Sequence, residues 1–116
     1  MRKLLLFAAI VAFAQEPSVP PGMRCPQRTL VFFEFAANAA KSADFQKEHL
    51  AYVLELLKFG KAIAAGPLSD GRSAAILFAT KDWDEAEALI EKEPFNREGV
   101  FKVASHSVWT ACEASR

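Results

Sequence analysis

Cysteine and histidine are scarce in this sequence, with two of each among 116 residues. The cysteines, Cys25 and Cys112, form no C-x-x-C redox motif and match no zinc-binding spacing. The histidines, His49 and His106, form neither H-x-H nor H-E-x-x-H. No Ser/His/Asp nucleophile motif is visible. We therefore expect no metal site and no cofactor.

The sequence also lacks an excess of charge of either sign and an apolar run of membrane-spanning length. The 14 Lys and Arg residues balance 14 Asp and Glu residues, so the basic stripe typical of nucleic-acid binding is missing. The apolar run at residues 4–13 has roughly ten residues, whereas a transmembrane helix needs about 20. We expect no nucleic-acid partner.

The first 14 residues have the three-part pattern of a secretory signal peptide. Arg2 and Lys3 precede the apolar run, and Ala12-Phe13-Ala14 supplies the small-x-small cleavage pattern before Gln15. The alternatives are a membrane anchor or a buried N-terminal helix. Cleavage predicts an exported protein, periplasmic or secreted, with no membrane attachment and with 12 positive against 14 negative residues.

Residues 15–27 contain four prolines and predict an extended lead-in without a core of its own. An even number of cysteines in an exported chain favours a disulfide between Cys25 and Cys112. The alternative is two free thiols. A bond between them closes a long loop and stabilises the fold by roughly 4 kcal/mol in the chain-entropy model.

Residues 28–113 form the predicted domain, in which strands and helices alternate as β-α-β-β-α-β. The first helix is capped by Ser42 or Asp44 and stops at Gly60. The second is capped by Asp82, with Glu85 at the capping-box position, and ended by Pro94. The predicted strands are Thr29–Ala36, Lys61–Leu68, Ala74–Thr80 and Val100–Ala111, with a tight turn at Ser69–Arg72.

This order predicts an α+β, ferredoxin-like fold with a four-stranded antiparallel sheet. In that topology the first and last strands are antiparallel neighbours. The start of the first strand, after Cys25, then meets the end of the last strand, at Cys112. Topology and the expected disulfide therefore support each other.

With these elements placed, the chain resembles the YCII family of small α/β proteins from about Thr29 to Trp109. The resemblance is carried by the H-L-A-Y element at 49–52, by the G-P-L-S-D element at 66–70, and by the E-P-F element at 93–95. It implies a homodimer in which two sheets pack into an α+β barrel with a pocket. Two departures are the signal peptide and Glu93, where most members have aspartate.

The resemblance also implies a candidate catalytic pair, His49 and Asp70, with the histidine as general acid or base and the aspartate orienting it. The alternative is a solvated helix histidine beside an ordinary turn aspartate, because Asp-Gly is common in hairpins.

Ligand-binding candidates are Glu34, Tyr52, Gly66, Pro67 and His106. Glu34 is a candidate second acid, and its alternative is an ion pair with Arg72 or Lys61. Strict alternation along the last strand places His106 on the face opposite Phe101, Val103 and Trp109, where it either lines the pocket or is hydrogen-bonded.

Two functions remain open on the sequence. The first is an exported dimeric enzyme that uses His49 and Asp70 for isomerase, lyase or dehalogenation-type elimination chemistry on a small cyclic or aromatic molecule. The second is a non-catalytic ligand-binding or structural dimeric module. The sequence names no substrate.

Overall fold

A computed structural model describes residues 19–115. The predicted signal peptide, residues 1–14, lies outside the described residues. The described residues divide into two compact units, one spanning Pro26–Ala111 and one formed by residues 19–25 and 112–115.

The Pro26–Ala111 unit contains four strands and three helices. A short 3-10 turn at Ala39–Lys41 precedes the first helix. We number the elements of the whole chain in order, so that this unit holds β2 (Gln27–Phe35), α1 (Ser42–Lys58), β3 (Ala62–Pro67), β4 (Ser73–Phe78), α2 (Trp83–Lys92), α3 (Pro94–Arg97) and β5 (Phe101–Thr110).

The strands form one antiparallel sheet in the order β3-β4-β2-β5. The fold is therefore the predicted α+β, ferredoxin-like arrangement with a four-stranded antiparallel sheet. Strands β2 and β5 are neighbours, as the sequence predicts, and they pair from Gln27↔Thr110 to Phe35↔Phe101.

The register of β2 and β5 shifts at one point, and this shift corrects a prediction. Phe33 pairs with Val103 and Phe32 pairs with Ser105, so Ala104 is an extra residue in β5. Such a bulge reverses the alternation of all later side chains. His106, opposite Val31, therefore shares the face of Phe101 and Val103, contrary to the strict alternation that we expected.

The hydrophobic core lies on one face of the sheet, which we call the inner face. Both long helices pack there, α1 through Leu56 and α2 through Ala86 and Ile90. The core side chains from the strands are Val31, Phe33, Ala62, Ile76 and Phe78.

The opposite face of the sheet, which we call the outer face, carries Leu30, Phe32, Leu77 and Trp109. Leu30 pairs with Leu77 across β2 and β4, while Trp109 pairs with Arg28 across β2 and β5. Trp109 is 47% exposed. The middle of strand β2, from Leu30 to Phe33, is therefore apolar on both faces, although the helices cover only the inner one.

The helix ends follow local sequence signals only in part. Asp82 caps α2 by accepting a hydrogen bond from the backbone N–H of Asp84, as predicted. Glu85, predicted to complete a capping box, instead accepts from the Thr80 hydroxyl. Helix α1 begins directly after the 3-10 turn, so neither Ser42 nor Asp44 caps it.

The second unit consists of two short antiparallel strands, β1 (Met23–Arg24) and β6 (Glu113–Ala114). Arg24 and Glu113 form an ion pair across them. A disulfide joins Cys25 to Cys112 over 87 residues of sequence, which agrees with the predicted bond and fits an oxidising compartment. Within residues 19–115, none of the helices has the length and apolar character needed to cross a membrane.

Candidate active site

A cavity of about 460 Å³ lies between α1 and the inner face of the sheet. Four phenylalanines supply much of its wall, from β2, α3 and β5: Phe33, Phe35, Phe95 and Phe101. Its volume falls within the range of small-molecule sites, about 300–1,000 Å³. The ionisable side chains that line it are His49 and Glu93.

His49 is held by α1 at the wall of this cavity, with its side chain 17% exposed. Its ring stacks on the Phe95 ring at a centroid distance of 3.8 Å and an interplanar angle of 2°. The Phe101 ring lies nearly perpendicular to the imidazole, with the ring centroids 6.2 Å apart. His49 Nδ1 is hydrogen-bonded to Glu93 Oε2 at 2.9 Å. The imidazole is therefore fixed both by stacking and by a carboxylate.

Glu93 is buried, with only 2% of the residue exposed, and it is the N-cap of α3. Oε2 accepts the backbone N–H of Phe95 at 2.8 Å as well as the His49 bond, and Oε1 accepts from Asn96 Nδ2 at 3.1 Å. Three N–H groups thus replace the water that burial removes from this carboxylate, which is how a buried acidic group is accommodated.

The hydrogen bond to Glu93 decides which nitrogen of His49 is available for chemistry. A carboxylate oxygen accepts hydrogen bonds, so Nδ1 carries the shared proton. Nε2 is then the basic nitrogen, and it has no hydrogen-bond partner within residues 19–115. A histidine oriented in this way by a buried carboxylate is arranged for general base catalysis.

The comparisons with known proteins agree with this architecture. The model of the YCII-related domain family matches residues 28–110, most of the chain. The chain belongs to the YCII family. No curated protein matches it in sequence.

Among solved structures, this YCII protein is similar to 5-chloro-2-hydroxyhydroquinone dehydrochlorinase from Burkholderia phenoliruptrix AC1100, solved in complex with 2,5-dihydroxybenzoquinone. The TM-score is 0.50 and the identity 24%, over 69% of this chain and 89% of that chain. At this level of identity the likeness establishes a shared fold.

The structure does not bring His49 and Asp70 together in the way the sequence predicts. Asp70 is exposed in the loop between β3 and β4, where it accepts the Ser73 hydroxyl at 2.6 Å and the backbone N–H groups of Arg72 and Ser73. The Ser73 hydroxyl and the Arg72 N–H lower the pKa of Asp70. The carboxylate thus closes its own turn, and Glu93 takes the place expected for Asp70 beside the histidine.

The ligand-binding candidates fall in different places. Gly66 and Pro67 line the cavity with His49. Tyr52 packs against the core, and its hydroxyl donates to the backbone carbonyl of Leu89 at 2.8 Å. Burial, reinforced by the charges of Glu93 and Glu55, raises the pKa of Tyr52.

Glu34 and His106 have partners outside the cavity wall. Glu34 lies on the outer face with its side chain half exposed, and it pairs with Lys102 at 3.4 Å rather than with Arg72 or Lys61. His106 stacks on Trp83, the first residue of α2, at 3.6 Å.

Glu93 is the site residue that sequence reasoning did not place beside His49. In the sequence the residue stands in the E-P-F element, where most family members have aspartate. The available signal was the position itself, since an acidic residue directly before a helix-starting proline is placed to cap that helix.

Proposed function

We propose that this YCII protein is a small acid–base enzyme that acts on a cyclic or aromatic molecule bound in the cavity. His49 is the base, and Glu93 positions it. The observation that carries the proposal is the hydrogen bond between the buried Glu93 carboxylate and His49 Nδ1 at the wall of an apolar cavity. Burying a carboxylate is costly, and placing one against a histidine in a cleft is typical of a functional site.

In the proposed reaction, His49 Nε2 accepts a proton from a C–H or O–H group of the ligand, and the Glu93 carboxylate stabilises the imidazolium that forms. In an isomerisation the proton returns to a different ligand atom. In an elimination the electron pair left behind expels a leaving group such as chloride. The dehydrochlorinase with the same fold makes elimination of hydrogen chloride the reaction to test first.

The first test measures chloride release from 5-chloro-2-hydroxyhydroquinone, together with other chlorinated dihydroxybenzenes, by the purified protein. We expect turnover by the wild type and a loss of about 10²–10⁴-fold in kcat/KM for His49→Gln, because the base is removed. Glu93→Gln keeps the shape but not the charge, and we expect a loss of about 10–100-fold. Glu93→Asp tests whether the shorter side chain still forms the hydrogen bond to His49 Nδ1.

Asp70→Asn is the matched control, since it removes a carboxylate that bonds only within its own turn, and we expect its turnover to equal that of the wild type. A loss in Asp70→Asn as large as that in His49→Gln would restore Asp70 as the catalytic partner. Ligand binding without turnover, equal in wild type and His49→Gln, would instead identify a non-catalytic binding module.

Two further proposals concern the state of the protein. We propose that it is a homodimer whose two outer faces pack together, because Leu30, Phe32, Leu77 and Trp109 form an apolar face that the helices do not cover. We also propose that it is exported after cleavage behind Ala14. The disulfide supports this, because such bonds persist in oxidising compartments.

A further inference from the structure

One stripe of α1 faces the cavity and extends beyond the candidate base. Ser42, Gln46 and His49 all line the cavity, and they are spaced by four and three residues, as side chains on one helix face are. At a rise of 1.5 Å per residue, Gln46 lies about 4.5 Å and Ser42 about 10 Å from His49 along the helix axis. A small ring that offers an atom to His49 can therefore reach Gln46 with another substituent.

Ser42 and Gln46 differ from His49 and Glu93 in their hydrogen bonding. Their side chains form no hydrogen bond with any residue of the described part of the chain. The Gln46 amide offers both donors and an acceptor, and the Ser42 hydroxyl offers one of each. The two side chains can therefore bind hydroxyl or carbonyl oxygens of a ligand.

The charge of the cavity wall restricts what that ligand is. Neither lysine nor arginine lines the cavity, and the one acidic group there, Glu93, is already satisfied by three N–H donors. A ligand carboxylate or phosphate entering this apolar space would lose its water without gaining a lysine or arginine partner, and it would lie near the Glu93 carboxylate. An uncharged ligand enters without this free-energy cost of desolvating a charge.

From these observations we infer that Gln46, assisted by Ser42, selects an uncharged, oxygen-substituted ring by hydrogen bonding, and that the cavity rejects anionic rings of the same size. The inference rests on the proposed function in taking this cavity as the active site. To the proposed function it adds the class of substrate and the residues that recognise that substrate.

The test compares the binding of hydroquinone with that of 4-hydroxybenzoate, which has the same ring but a carboxylate in place of one hydroxyl. Dissociation constants come from NMR chemical-shift titrations, so that no turnover is needed. For the wild type we expect hydroquinone to bind at least about tenfold more tightly. Gln46→Ala removes one hydrogen bond and raises the dissociation constant of hydroquinone by about three- to tenfold.

Gln46→Lys supplies the missing cation and reverses the preference, so that 4-hydroxybenzoate binds more tightly than hydroquinone. Lys47→Ala is the matched control, because it changes the neighbouring exposed residue, which does not line the cavity, and it leaves both constants unchanged. Equal binding of the two probes to the wild type, or an unchanged ratio in Gln46→Lys, would overturn the inference.

His49→Gln separates this inference from the proposed function. If that variant keeps the preference for hydroquinone and the wild type shows no turnover, the selectivity stands and the enzyme proposal fails. If turnover is lost in His49→Gln while the wild type binds both probes equally, the enzyme proposal stands and the selectivity fails.

Discussion

Glu93 reaches His49 because of where its backbone lies, and its extra methylene group does not prevent the contact. As the N-cap of α3, it precedes Pro94, and its Oε2 is shared between the Phe95 N–H and His49 Nδ1. Glu93 and His49 are 44 positions apart in the sequence, and only the packing of α1 beside α3 brings them together. Local patterns cannot supply such a contact.

Thr29 buries a hydroxyl group without a hydrogen bond. The residue is 1% exposed, and its hydroxyl has no hydrogen-bond partner within the described residues. A buried hydroxyl without a partner costs about 1–3 kcal/mol. We expect Thr29→Val, which keeps the branched shape, to raise the free energy of unfolding by about 1 kcal/mol, measured by urea denaturation.

Thr29→Ser is the control for this substitution, since it keeps the hydroxyl and removes the methyl group. We expect it to lower the free energy of unfolding, because it leaves the same unpaired group beside a small void. A Thr29→Val protein less stable than the wild type would mean that the hydroxyl has a partner, such as a buried water molecule.

At the scale of elements, α1 and α2 are joined by a hydrogen bond from the Tyr52 hydroxyl to the Leu89 carbonyl. Tyr52→Phe removes it, and we expect the free energy of unfolding to fall by about 1 kcal/mol at neutral pH. The pKa of Tyr52 is raised in the folded protein, so this contribution is complete below the unfolded value of about 10 and is lost as pH rises through the folded value.

The measurement is direct because Tyr52 is the only tyrosine of the chain. The absorbance change of tyrosinate formation should have its midpoint above that of free tyrosine, and the Phe variant should show none. Urea denaturation across the same pH range should show the stability difference between the two proteins shrinking at alkaline pH. A midpoint at the free value would contradict the buried hydrogen bond.

The order of the elements follows from the sequence, but the details of β5 do not. The turn residues, the period of the apolar positions and the cap at Asp82 are local signals, and they predict β-α-β-β-α-β correctly. The bulge at Ala104 has no local marker, since Val103-Ala104-Ser105 suits a regular strand. It arises from pairing with β2, and for that reason the face of His106 predicted from strict alternation is wrong.

At the scale of the whole molecule, the outer face predicts how copies of the chain associate. Exposed apolar surface of this kind is typical of an interface. We expect a dimer at micromolar concentration by light scattering. Trp109→Lys should give a monomer, because it places a charge on the outer face. Leu54→Lys is the control, since Leu54 is 51% exposed on α1, and it should stay dimeric. A monomeric wild type would overturn the proposal.

The Cys25–Cys112 bond joins residues 87 positions apart. Closing so long a loop restricts the unfolded chain, and the entropy model gives a contribution of roughly 4 kcal/mol. We therefore expect the double variant Cys25→Ser/Cys112→Ser to lose about that much free energy of unfolding in urea, while its fold is retained.

The same bond tests export, because it forms and persists only where thiols are not kept reduced. Protein purified from the periplasm or the medium should have the intact mass of residues 15–116 less two hydrogen atoms. A mass that includes residues 1–14 would contradict signal cleavage, and two free thiols would contradict the bond. Equal unfolding energies for the wild type and the double variant would contradict the stabilisation expected from closing this loop.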